Sequence, residues 1–399
     1  MVITHRFEQR IMIGQVLAVL AVCVNNLPLT LLRVTPPVFS PEVHSQIALW
    51  GIGYLFLSAG FLAHWKRETL MPADKPWLEA TAGYIVSRFL FLALPCYAVY
   101  LFDVFLLSFK DFGPSENLLK AAPALLTLSQ TWVYALVGNA SLGQPLNGAN
   151  MAWFGSSLFF LAIFYAVTRS LWSRMSGNIA LAALLLLLLG QAAQYWALNS
   201  YQSAILAYAT DFYGEKPASF DLWSYFFEFS PYAHLLTFLA GVALAQTMRQ
   251  GATERMPVLA LIAGISVGLS LFGSLLLTKF LGLNIIILTL LQFFSDANAP
   301  VRLAPQPAGI VARIRHWCRH LPGSAYAILI LHLAMMLPFA SGAVDHATLS
   351  GKLYLLLRVV VVMSFLLTLC VGLDRLIMKP LRRRILSRLN IEGSHDRFI

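Results

Sequence analysis

The sequence predicts an all-α, polytopic membrane helical bundle of about ten transmembrane helices with both termini inside, and three observations predict it. Hydrophobic residues make up 58% of the 399 and charged residues 12%, where a soluble domain carries roughly 25% charged residues. Apolar runs recur along the whole chain at lengths near the ~20 residues needed to cross a bilayer as a helix. The third observation is where the charge sits: 21 of the 28 Lys and Arg residues fall on the two termini or in alternate gaps between those runs. Cytoplasmic loops concentrate Lys and Arg, so those gaps read as the inner ones. The acidic residues divide evenly between the two sides, and the net charge of +10 is therefore a topology signal. Nucleic-acid binding is a poor explanation of it.

Taken in order, the first span (11–32) follows a short polar start, Met1 to Arg10, without a small-residue cleavage site, and reads as an uncleaved helix carrying Asn25 and Asn26. The second (46–64) ends at the inner side on His64, and the third (84–108) has Arg88 and Asp103 at its opposite ends. The fourth (151–168) follows a long outer stretch, and the fifth (179–198) is leucine-rich. His234 lies near the outer end of the sixth (229–248). The seventh (257–277) and the short eighth (281–295) precede an inner basic stretch. His332 stands midway along the ninth (323–341), and Arg358 near the outer end of the tenth (353–373), at the depth of Asp103, which makes those two a candidate ion pair. Residues 1–399 read as one integral-membrane domain with no separate soluble domain; the stretches 109–150, 199–228 and 296–322 read as lids or surface helices. Cys23, Cys96 and Cys370 lie in spans and Cys318 in an inner loop, so no outer pair is available for a structural disulfide.

Ionisable side chains within hydrocarbon are expensive, and each is a functional candidate by default. No span holds an Asp or Glu near its middle, whereas gradient-driven carriers keep carboxylates there to bind the coupling ion. Histidine without a membrane carboxylate suits proton movement during group transfer better. The plainer alternatives stay open: a lone His can be a helix–helix hydrogen-bond partner, for His64 and His234 above all, and Arg88 at an inner boundary can snorkel.

Five segments, in order, carry a resemblance. The second span reads Gly53-Tyr-Leu-Phe-Leu-Ser-Ala-Gly-Phe-Leu62, the third begins Tyr84-Ile-Val-Ser-Arg-Phe-Leu-Phe-Leu-Ala-Leu-Pro95, and the fourth begins Asn150-Met-Ala-Trp-Phe-Gly-Ser-Ser157 and ends in Phe164-Tyr165. The sixth reads Phe229-Ser-Pro-Tyr-Ala-His-Leu-Leu-Thr-Phe-Leu-Ala-Gly241 and the ninth Gly323-Ser-Ala-Tyr-Ala-Ile-Leu-Ile-Leu-His332. Together they resemble the membrane-bound acyltransferase family 3, whose members move acyl groups from a cytoplasmic thioester onto sugars or lipids at the membrane. The resemblance implies an O-acyltransferase using acyl-CoA, acetyl-CoA or succinyl-CoA, as donor substrate, with no permanently bound cofactor and no metal. It implies His332 as a catalytic residue and Arg88, Asn150, Trp153 and Ser157 as substrate contacts.

The sequence also departs from that pattern. Where the family has an Arg and a His on the first helix, this chain has Gln15 and Asn26. An amide orients a hydroxyl but accepts no proton from it at physiological pH, and losing a positioned base costs about 10²–10⁴ in rate. His234 stands where the family has Arg, and Thr237 where it has Glu. His332 and His234 are thus candidate substitute bases, and Asn26 a hydroxyl-orienting residue. Anionic acyl-CoA would meet the inner basic surface, with Arg313, Arg315 and Arg319 as donor contacts, although an interfacial helix facing anionic lipid accounts for the same arginines. Trp223, among the aromatic and acidic residues of 199–230, is a candidate contact for a polyhydroxyl acceptor, and an aromatic belt at the lipid boundary explains those residues equally.

The sequence therefore leads to two expectations. One is a bacterial inner-membrane enzyme acylating an exported polysaccharide or glycolipid. The other is an acyltransferase-like bundle that has lost the chemistry and serves polymer export or assembly beside other polysaccharide-synthesis membrane proteins.

Overall fold

Apolar segments in a bilayer must satisfy their own backbone hydrogen bonds, and helices do so within one segment. The computed structural model describes residues 2–27, 41–72, 74–109, 122–132, 151–200, 230–250, 321–336 and 349–391, and among them the chain is all helical, with no strand. The helices are α1 (Val2–Leu27), α2 (Pro41–Trp65), the short α3 (Arg67–Leu70), α4 (Trp77–Phe109), α5 (Ala152–Arg174), α6 (Gly177–Ser200) and α7 (Pro231–Arg249). A 3-10 turn (Pro322–Ser324) leads into α8 (Ala325–Met336), and α9 (Leu349–Leu373) passes through one π turn (Asp374–Met378) into α10 (Lys379–Arg388).

Three of these stretches, Trp77–Phe102, Ala152–Arg174 and Leu357–Arg388, are long and apolar enough to cross a membrane, and Ile11–Val24 and Gly177–Gln191 are shorter apolar helices. The last of the three ends in α10, whose Lys379, Arg382, Arg383, Arg384 and Arg388 cannot sit in hydrocarbon, so the apolar part closes near Leu373 as the sequence predicts. Outward faces are apolar too: Leu185, Leu186 and Leu189 on α6 and Leu357, Val360, Val361 and Phe365 on α9 are exposed. Contiguous apolar faces of this kind are rare on soluble monomers and compatible with contact to lipid. The seventh and eighth predicted spans, 257–277 and 281–295, lie outside the described residues, as do Asn150, Trp223, Arg313, Arg315 and Arg319.

Boundaries differ from the sequence reading in two instructive places. Helix α1 begins at Val2, so the polar start belongs to the helix, where Glu8 bonds Lys66 at the end of α2 across 3.1 Å. Helix α4 begins at Trp77, which puts Arg88 inside the helix instead of at its mouth. Part of the stretch 109–150, residues 122–132, also packs into the bundle: Leu128, Gln130 and Thr131 are buried. Ser156 Oγ donates to the Leu128 carbonyl across 2.7 Å, and Leu128 takes the left-handed conformation at φ 53°. That conformation is uncommon for a non-glycine residue.

Small residues set the closest helix pairs. A side chain at Gly241 on α7 would meet the Leu57 carbonyl oxygen at 2.0 Å, and one at Gly60 on α2 would meet the Phe238 carbonyl oxygen at the same distance. Without a hydrophobic drive between lipid-bathed helices, such backbone contact is a main source of association. Helix α7 starts where its sequence says it should, because the Ser230 side chain accepts from the Ala233 N–H and Pro231 occupies the first turn.

Candidate functional site

The polar centre of the bundle joins α1, α2 and α8. Gln15 Nε2 donates to Ser58 Oγ at 3.0 Å and to Tyr326 Oη at 3.2 Å, and all three side chains are buried. Ser58 in turn donates to the Leu55 carbonyl. Gln15 Oε1 has no hydrogen-bond partner among the described residues, and neither has Ser87 Oγ on α4. Orphaned polar atoms in a buried setting cost roughly 1–3 kcal/mol each, so each calls for an explanation in a folded protein.

Around Tyr326 the site becomes aromatic and cationic. The Phe91 ring meets Tyr326 edge-on with centroids 5.6 Å apart, and Phe154 stacks on it at 5.8 Å. The Arg382 guanidinium lies 5.1 Å from the Phe91 centroid, and that of Arg88 lies 5.4 Å from the Tyr84 centroid. Arg88 therefore has an aromatic seat next to the Tyr326 cluster, where a simple boundary arginine would reach for headgroups.

From Phe154 the rings continue to Phe56 at 4.6 Å, and Phe56 stacks on His234 at 4.1 Å with the planes only 11° apart. Trp153 flanks His234 at 5.8 Å, so two residues singled out in the sequence meet. An unbroken column of rings thus runs from Arg382 through Phe91, Tyr326, Phe154 and Phe56 to His234 and Trp153.

His332, fully buried on α8, has Nδ1 2.6 Å from the Leu329 carbonyl oxygen of its own helix. A carbonyl only accepts, so Nδ1 carries the proton and Nε2 the lone pair. In this tautomer Nε2 is the basic nitrogen of the ring. Ser157 has a more local duty: it donates to Thr131 Oγ1 at 3.1 Å and helps hold segment 122–132 against α5. Thr237 accepts from Gln191 Nε2 at 2.6 Å, which ties α7 to α6. The side chains of Asn26 and Asp103 lie outside the described residues, and with the latter the expected Asp103–Arg358 pair.

A second polar cluster forms where α2, α5 and α7 end. His64 is fully buried, with Nδ1 3.1 Å from Tyr165 Oη and Nε2 2.8 Å from Gln246 Oε1. Arg67 Nη1 donates to the same Oε1 at 2.8 Å, and Gln246 Nε2 donates to the Met175 carbonyl at 2.6 Å. Arg249 bonds the Trp65 carbonyl and pairs with Glu68. Burial first, and then the charge of Arg249, pull the Arg67 guanidinium below its usual value. The sequence offered His64 as a helix–helix partner, and that is where the structure places it.

What sequence reasoning missed is Gln15. It registered only as a departure from a family pattern, yet its side chain links three helices. The available signal was an amide in the middle of an apolar run, which is costly unless bonded. Comparison with known proteins finds no match: no family model fits the chain, and no curated protein or solved structure shows significant similarity to it.

Proposed function

We propose that the chain is a multi-pass cell-membrane O-acyltransferase with both termini cytoplasmic, transferring an acetyl or succinyl group from cytoplasmic acyl-CoA to hydroxyls of an exported polysaccharide or glycolipid. The observation that carries this reading is convergence. Ser58, Arg88, Phe154, Trp153, His234 and Tyr326 come from all five resemblance segments, and the aromatic column and the Gln15 cluster bring them into one neighbourhood.

In this mechanism the acceptor hydroxyl oxygen attacks the thioester carbonyl carbon while His332 Nε2 takes the hydroxyl proton. The C–S bond then breaks, the imidazolium returns the proton to the leaving thiolate, and ester and free CoA result. Arg88 and the hydroxyl of Tyr326 supply positive charge and a donor for the oxyanion. Trp153 and His234 offer flat faces on which a sugar ring stacks. Arg313, Arg315 and Arg319 remain the proposed donor contacts, and Asn26, Asn150 and Trp223 the proposed acceptor contacts.

One observation favours the second reading, a bundle without transferase activity that acts in polymer export or assembly. Gln15, where the family has Arg, is a neutral amide tied down by Ser58 and Tyr326. The experiment that separates the two is the acyl content of the surface glycan in a deletion strain, measured by mild base release. Glycan present but unacylated supports the enzyme; glycan missing from the surface supports the exporter.

A further inference from the structure

The last helix has a polarity that its role as a cytoplasmic tail does not require. On its inward side Met378, Arg382 and Leu386 are buried, Arg382 lies over Phe91, and Lys379 pairs at 3.1 Å with Asp374, which also accepts from Ser324 at 2.6 Å. On the outward side Leu381, Arg384 and Arg388 of α10 follow one another at spacings of three and four and so share a single stripe, with Ile377 of the π turn four residues before them. All four are exposed. The stripe grades from apolar residues next to the end of α9 to basic residues farther along. Leu376 and Arg383 flank it with the same order, and the only acid of 374–388, Asp374, is buried and neutralised.

From these positions we infer that α10 is an interfacial helix that recognises the anionic phospholipid surface at the inner end of the bundle. Ile377 and Leu381 enter the acyl boundary, and Arg384 and Arg388 bind headgroup phosphate. A helix leaving hydrocarbon must pass from acyl chains to phosphates within a few residues, and this stripe changes character in that order. Basic residues beside an anionic leaflet each contribute about a fivefold preference, screened by salt. The inference depends on the chain's membrane character and is independent of acyl transfer. It also gives the bilayer a lever on the site, because the inward side of the same helix holds Arg382 against the Phe91–Tyr326 pair.

The full chain with Ile377→Cys, labelled with bimane in a Cys318→Ser background, tests this in nanodiscs by quenching with brominated phosphatidylglycerol against brominated phosphatidylcholine. The expected result is a preference of about tenfold or more for phosphatidylglycerol at low salt, collapsing towards unity in high salt and in the Arg384→Gln/Arg388→Gln double variant. Equal quenching by both lipids, or a preference untouched by the double variant, overturns the inference. So does abolition of the preference by millimolar inorganic phosphate, which identifies a simple anion site instead of a lipid surface. Thermal unfolding of the double variant checks that the helix remains folded.

Discussion

The two buried polar clusters of this bundle differ in completeness. At the helix ends His64 uses both ring nitrogens to join α2 to α5 and α7, and Gln246 uses both ends of its amide. In the centre Gln15 makes two bonds through Nε2 and leaves Oε1 without a partner among the described residues, with Ser87 Oγ in the same condition. Elsewhere in the bundle, His332 bonds its Nδ1 back onto its own helix, so that nitrogen ties no two helices together. A satisfied network rigidifies a fold, whereas an incomplete one costs stability and persists where something else must bind. The contrast makes His64 a helix–helix tie and leaves His332 as the histidine the proposed chemistry uses, although the sequence presents both as lone histidines in apolar runs.

Substitution should separate the clusters. The largest effect expected is on turnover: His332→Ala lowers acyl transfer by about 10²–10⁴ while thermal unfolding moves by a few degrees, measured with labelled acyl-CoA and by melting in detergent. His64→Ala is expected to do the reverse, costing about 1–3 kcal/mol because it removes the ring that Tyr165 Oη bonds and one of the two bonds to Gln246 Oε1, with transfer per folded molecule preserved. Unchanged melting in that variant would break the comparison.

Smaller changes sharpen the comparison. Gln15→Leu removes two hydrogen bonds and one orphaned acceptor together, so stability should change by no more than about 1 kcal/mol, whereas substrate affinity should fall if the centre binds a polar molecule. Arg88→Lys keeps the charge but weakens the contact over Tyr84, worth roughly 0.5–1 kcal/mol, and should show as a modest loss of turnover. Ser157→Ala is expected to have the least effect: about 1 kcal/mol from the lost bond to Thr131, read in melting and not in the substrate dependence of the rate.

Much of this was legible in the chain because lipid imposes severe rules. Helical class, the apolar stretches containing α4, α5 and α9, and the basic finish after Leu373 follow from hydropathy and the placement of Arg and Lys. The start of α7 follows from Ser230 and Pro231. The clusters were less legible, because a partner far along the chain leaves no local trace. Nothing near Gln15 announces Tyr326, and nothing near His64 announces Gln246. Arg88 stands at the inner end of the span read from hydropathy, and the helix itself continues back to Trp77. Ser157 was singled out because its neighbours fit a motif. Its bond to Thr131 was not legible, because Thr131 sits in a segment that hydropathy treats as loop.

The most direct test of the central claim, that the incomplete cluster is where an acyl group meets a hydroxyl, is transfer of label from acetyl-CoA or succinyl-CoA to surface glycan by purified chain in proteoliposomes. Wild type, His332→Ala and His64→Ala should be compared at equal folded concentration. The account predicts label on the glycan with wild type and with folded His64→Ala, and a loss of at least about a hundredfold with His332→Ala. Equal transfer by wild type and His332→Ala, or no transfer by wild type from either donor, would contradict it.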